Sequence, residues 1–113
     1  MENNLEFYIK TGSHLIQCTE EFKSRIMVEQ HNKAMKRLSV KLRELQTDSS
    51  IDRSFLLVLL NDSNIALRCT AANHCLELHV YKMQATKTLL ELSKCPNKYI
   101  AFNACCILDK WRV

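Results

Sequence analysis

Apolar positions recur along the chain at helical spacing. From Leu5 the series Leu5, Tyr8/Ile9, Gly12, Leu15/Ile16 has a period of three to four and predicts an amphipathic helix. Gly12 falls on its apolar stripe. A mid-helix glycine is about 1 kcal/mol worse than alanine, so the position predicts close approach of a neighbouring helix. Thr19-Glu-Glu offers an N-cap with acids in the first turn, which predicts a break near residues 19–21. A second helix follows over about 22–46, with Met27, His31, Ala34, Leu38, Leu42 and Leu45 on one face. Beside them runs the ridge Glu29–Lys33–Arg37–Lys41 at i,i+4 spacing, in which Glu29 is placed to pair with Lys33.

Thr47-Asp-Ser-Ser interrupts the pattern. Ser49 or Ser50 is the expected cap of a helix over about 50–60, with Asp52 in its first turn. Phe55-Leu-Leu-Val-Leu-Leu is apolar nearly all round, which suits a helix held between others. After the turn Asn61-Asp-Ser-Asn, a helix over about 64–78 should turn Ile65, Cys69, Ala72, Cys75/Leu76 and His79 inward. The next, about 82–93, should bury Ala85, Leu89 and Leu92. Cys95-Pro96 then opens the last, with Cys95 as N-cap, proline at the first helical position and a stripe of Ile100, Ala104, Ile107/Leu108 and Trp111. No segment alternates as a strand does.

The second half of the chain matches itself at an offset of 32 residues. Leu57 meets Leu89, Leu60 meets Leu92, Ala72 meets Ala104, Leu76 meets Leu108 and Glu77 meets Asp109, and the turns Asn61-Asp-Ser-Asn and Lys94-Cys-Pro-Asn correspond. Helix pairs that repeat in this way stack because no pair can bury its own apolar face. The stretch Phe55-Leu-Leu-Val-Leu-Leu-Asn-Asp-Ser-Asn-Ile-Ala-Leu-Arg-Cys-Thr-Ala-Ala resembles the HEAT-repeat pattern of leucine helix, Asp-containing turn, arginine and paired alanines. Over residues 5–113 the chain is similar to a small bacterial family of single-domain HEAT/armadillo-like proteins. The likeness lies in the basic helix carrying His31-Asn32, the Arg68/Ala71-Ala72 helix and the closing Ala104, Leu108 and Trp111. It implies an all-α fold over residues 1–113, five or six helices in a right-handed α-α superhelix, and an immunity-type role beside a bacterial toxin. The second copy departs from the pattern: Ile100 stands where the first has Arg68, the arginine that usually stabilises the turn.

Composition narrows the function. A chain of 113 residues, 47% hydrophobic and 25% charged, suits one compact domain. Its single glycine excludes phosphate loops, dinucleotide fingerprints and nucleophile elbows, each of which needs several glycines close together. The opening residues carry two acids and no basic stretch, and the longest apolar run is Phe55 to Leu60. We therefore expect a cytoplasmic chain with neither secretory signal nor membrane span. Its six cysteines are then expected to be reduced and mostly buried, with Cys105 in the core and Cys106 at its edge, or the reverse.

The net charge of +4 is uneven: −3 over residues 1–21, +5 over 22–46, −2 over 47–80 and +4 over 81–113. Lys33, Lys36, Arg37, Lys41 and Arg43 could track phosphates or an acidic protein surface, while Asp48, Asp52 and Asp62 offer an acidic alternative for a basic partner. Candidate chemistry is sparse. His14–Cys18 and Cys75–His79 stand at i,i+4 spacing without CxxC or a paired histidine motif, and ordinary packing is the preferred reading over zinc. Cys95, between Lys94 and Lys98, is the best candidate for a reactive thiol, yet a cap without function is the preferred reading. No paired carboxylates suggest acid–base catalysis. The expectation is a protein without catalytic activity, cofactor or metal that binds a cognate toxin or another protein. The alternatives are a nucleic-acid module on the same basic face and a regulatory scaffold that dimerises through the last helix and Trp111.

Overall fold

A computed structural model describes residues 2–112 and, among them, shows six α-helices, a 3₁₀ turn and no strand. The helices are α1 (Asn4–Gly12), α2 (Arg25–Thr47), α3 (Phe55–Leu59), α4 (Ile65–Glu77), α5 (Lys82–Leu92) and α6 (Lys98–Lys110), with the 3₁₀ turn at Thr19–Lys23. The all-helical class read from the periodicity is what the structure has. No helix among the described residues is long and apolar enough to cross a membrane.

Helix α4 is the hub, packing on α1, α3, α5 and α6. Eight of its thirteen residues are buried, among them Leu67, Ala71, Ala72 and Cys75. The small residues Ala71 and Ala72 let neighbours approach closely, and Gly12 does the same from the other side. A Cβ on Gly12 would lie 2.7 Å from Leu67 Cδ1, so the expected close approach is α1 onto α4.

Asparagines cap α4 and α6 in the same way. Asn64 and Asn97 have φ of −76° and −77° and ψ of 105° each. Asn64 Oδ1 accepts from Leu67 N–H at 3.0 Å, and Asn97 Oδ1 accepts from Tyr99 and Ile100 N–H at 3.1 and 3.2 Å. Each also reaches outward through its side-chain amide: Asn64 Nδ2 donates to Gly12 O at 2.9 Å, and Asn97 Nδ2 donates to Gln17 O. The equivalence of the two halves is therefore 33 residues, one more than the sequence match suggested. In this register Leu56 matches Leu89, Leu59 matches Leu92, Leu67 matches Ile100 and Ala71 matches Ala104, and all eight are at most 2% exposed. Arg68 now faces Ala101 rather than Ile100. It grips its own turn, donating from Nε and Nη2 to Asp62 O at 3.0 and 2.8 Å.

Several boundaries differ from those expected. Helix α1 stops at Gly12, and Leu15 and Ile16 are buried in irregular chain rather than in a helix. That segment is fixed from three sides, by Asn64, by Asn97 and by His31 of α2, whose Nδ1 accepts from Ile16 N–H at 2.9 Å. Burial of Leu15 and Ile16 continues the apolar period without continuing the helix. Helix α2 starts later than expected, capped by Ser24, whose Oγ accepts from Met27 N–H at 3.3 Å. Helix α3 is one turn shorter at its start because Asp48 and Asp52 each fold the preceding chain into Asx turns, onto Ser50 and Ser54. In α6 the cap is Asn97, so Cys95 is not an N-cap and Pro96 lies outside the helix.

The α4–α5 corner ends in a Schellman cap: Val80 N–H donates to Cys75 O at 2.9 Å and His79 N–H to Leu76 O at 3.2 Å. The left-handed position, φ 58°, belongs to His79, and Tyr81 follows at φ 49°. His79 is consequently exposed instead of facing inward, with its ring edge-on to Trp111 at 6.1 Å.

Candidate functional site

Helix α2 positions the basic residues. Of its twenty-three residues only Ala34, Leu38 and Leu45 are buried, and it packs mainly on α1 and the 3₁₀ turn. Its remaining faces are free to carry charge. Lys33, Lys36, Arg37 and Lys41 line one shallow groove of about 500 Å³ together with Phe7 of α1, Val40 and Glu44. The four basic residues singled out in the sequence are thus brought together. Phe7 sits under two of them: Arg37 Cζ lies 5.2 Å and Lys41 Nζ 4.9 Å from its ring centroid. Cation–π contacts of this kind contribute about 0.5–1 kcal/mol at exposed sites and hold the cations over the ring.

Lys41 also pairs with Glu44 at 3.1 Å. Glu29 pairs with Arg25 at 3.4 Å instead of with Lys33. Among the described residues Lys33, Lys36 and Arg37 make no ion pair. Lys33 and Arg37 stand on the divide with a second hollow of about 270 Å³, lined by Thr11, His14, Gln30 and Ala34.

The acidic candidates lie elsewhere, and none lines the basic groove. Asp48 accepts from the Ser50 hydroxyl and N–H, and these bonds hold its carboxyl below the usual range. The N–H and hydroxyl of Ser54 do the same for Asp52. Asp62 Oδ1 accepts from Asn64 N–H at 2.8 Å. All three carboxylates shape their own loops. At the other end of the chain, Lys110 bonds Glu77 at 2.7 Å and lies 5.4 Å from the Trp111 ring centroid. With the His79 ring perpendicular to it, Trp111 is half-buried rather than a free aromatic platform.

The thiols depart from expectation. Cys69 and Cys75 are buried, and burial pushes each up to about 12. Cys105 and Cys106 are both exposed, where one was expected in the core, because α6 covers the hub with Ile100 and Ala104 alone of its residues fully buried. Cys95 is half-buried, its thiol donating to the carbonyl of the cap residue Asn97 at 3.5 Å. No three His, Cys, Asp or Glu side chains among the described residues gather around a point that could hold a metal ion, so the pairs His14–Cys18 and Cys75–His79 do not combine.

Two features escaped the sequence. Phe7, the floor of the basic groove, is not on the stripe that defined α1. Tyr8 and His74 are joined in the core, hydroxyl to Nδ1 at 2.8 Å, although 66 residues apart. Burial holds His74 down to about 4 and raises the Tyr8 hydroxyl above its ordinary value. A histidine on a helix face gives no sign in the sequence that a distant tyrosine will meet it.

Comparison of the chain with protein-family models, with characterised proteins and with solved structures finds no match.

Proposed function

We propose that this chain is a non-enzymatic protein-binding module whose basic groove on α2 receives an acidic surface of a partner protein. The observation that carries the reading is the cluster Lys33, Lys36 and Arg37, unpaired among the described residues and lining one groove with Phe7, over whose ring Arg37 lies. Cations left without a partner on the fold's own surface are available to an external anion, and an aromatic floor limits the freedom they lose on binding. The helix pairs α3–α4 and α5–α6, equivalent at 33 residues, are read as a HEAT-like right-handed stack that supplies the rigid support. A cognate bacterial toxin is the partner that the family resemblance favours, and the charge of the groove asks for an acidic surface on it. Such inhibition needs only a fixed, complementary surface.

The competing reading is nucleic acid on the same face. It is less favoured because Phe7 lies beneath its cations, so its ring is not open for base stacking. Fluorescence anisotropy against an oligoglutamate peptide and a DNA duplex of matched charge decides between them. We expect the peptide to bind more tightly at about 50 mM salt, and the double variant Lys33→Glu/Arg37→Glu to weaken it about ten-fold or more. Tighter binding to the duplex, falling steeply with salt, would select the nucleic-acid reading. No binding to either ligand rejects the groove as an anion-docking surface.

A further inference from the structure

On another face of α2 lies a groove of a different kind. It has a volume of about 390 Å³ and is walled by α2 on one side and by α4 and α6 on the other. In a chain with sixteen lysines and arginines and twelve acids, no charged side chain lines it. Its polar groups include His31, Ser39, Thr70, Asn73, His74, Tyr99 and Asn103. Four of these, Ser39, Thr70, Asn73 and Asn103, have no side-chain hydrogen bond to the protein among the described residues, beside apolar lining from Leu15, Ile16, Leu42 and Ile100.

The two histidines are held in a defined state. Ile16 N–H donates to His31 Nδ1 at 2.9 Å, which requires a lone pair on that nitrogen and places the proton of the neutral ring on Nε2. His74 Nδ1 meets the Tyr8 hydroxyl. Tyr8 is fully buried and has no other side-chain partner, so its hydroxyl proton is satisfied only if Tyr8 donates. His74 then also carries its proton on Nε2. That atom has no protein partner among the described residues and is not among the fully enclosed orphans, which are Arg53 Nε and Trp111 Nε1. The residue is 5% exposed and lines the groove, so what access Nε2 retains is to the groove. Burial lowers the proton affinity of both rings, which keeps them neutral at pH 7.

We infer that this groove is a binding site for an uncharged small molecule with an apolar body and hydrogen-bond acceptors such as amide or ring carbonyl oxygens. The volume is within the range of ligand pockets, roughly 300–1,000 Å³, which combine apolar walls with a few converging polar groups. Met35, Ile100 and Ile107 contact the apolar body. The Nε2–H groups of His31 and His74 are donors fixed from behind by their Nδ1 bonds. Thr70, Asn73 and Asn103 supply adaptable partners. A charged ligand would enter with no counter-charge and lose its hydration, so the site discriminates by net charge.

The site is independent of the basic groove, with which it shares no lining residue. Screening by ¹H–¹⁵N NMR with a library of neutral amide- and lactam-bearing fragments, alongside carboxylate and amine analogues of the same ring systems, tests it. We expect neutral fragments to shift Thr70, Asn73, His74 and Asn103, and their charged analogues to bind at least about ten-fold more weakly. Thr70→Val and Asn103→Leu, which break no hydrogen bond of the fold, should each weaken the neutral hits several-fold with an unchanged thermal midpoint. Asn73→Ala is the second variant if either fails to fold. The charge-reversal variant of the basic groove should leave the hits unaffected. No neutral fragment shifting these residues overturns the inference, as do charged analogues that bind equally well or hits unaffected by every groove variant.

Discussion

Helices α2 and α4 divide the work of the molecule in opposite ways. Helix α4 buries eight of thirteen residues and touches four other helices, whereas α2 buries three of twenty-three. Stability therefore concentrates on the shorter helix, and available surface on the longer one. The basic groove lies along one side of α2 and the uncharged groove along another. A helix held by few contacts can present two chemically different faces because so little of it is committed to the core.

Truncation is the harshest way to break this contrast. Leu67→Ala removes the side chain against which Gly12 packs and should destabilise the protein by about 3–5 kcal/mol in urea unfolding. Val40→Ala on α2, at a site 53% exposed, should change stability by no more than about 0.5 kcal/mol. Equal losses at the two positions would abolish the division.

Protonation probes the same hub more gently. His74 titrates near 6.5 in the unfolded chain and is held down to about 4 when folded. The unfolded state therefore binds the proton first, and stability present above pH 6.5 is lost as pH falls towards 4. The loss sums to about 3 kcal/mol, with a steepest slope of about 1.4 kcal/mol per pH unit. His31 shifts in the same direction and adds to the fall. Unfolding curves between pH 7 and pH 4.5 measure it, and His74→Gln should flatten most of the dependence.

Asparagine caps give the smallest effect and sharpen the comparison most. Asn97→Ala should cost about 1–2 kcal/mol, since it removes both a helix cap and a tie to Gln17. Asn97→Ser keeps a capping oxygen but cannot reach Gln17, so it should recover only part of the loss. Full recovery would show that the tie to the α1–α2 segment contributes nothing.

Local pattern foretold what is local. Helix α4 falls within the expected 64–78 and α5 within 82–93; the period singled out the buried Leu89 and Leu92 of α5 and Leu76 of α4, but missed Leu67. The close approach expected at Gly12 is present, although Gly12 ends α1 instead of lying mid-helix. The errors arose where tertiary contact substitutes for helical geometry. Leu15 and Ile16 keep the period of α1, but the Ile16 N–H goes to His31, and the flanking carbonyls of Gly12 and Gln17 accept from the cap asparagines of distant helices. Pro96 looked like a first helical residue, yet the asparagine after it outcompetes cysteine as a cap. The basic groove was half legible, since spacing aligned Lys33, Arg37 and Lys41 on one ridge while nothing announced Phe7. The uncharged groove was not legible at all. Its donors come from three helices, and only folding juxtaposes them.

The Schellman corner after α4 bears on how this protein moves. Two left-handed positions within three residues are filled by His79 and Tyr81, not by the residue that takes that conformation freely. A glycine there would let the corner sample many geometries; imidazole and phenol leave it few, and the His79–Trp111 contact links the far ends of α4 and α6. The corner is thereby narrowed in the geometries open to it, and the angle at which α5 leaves α4 is set by the backbone itself.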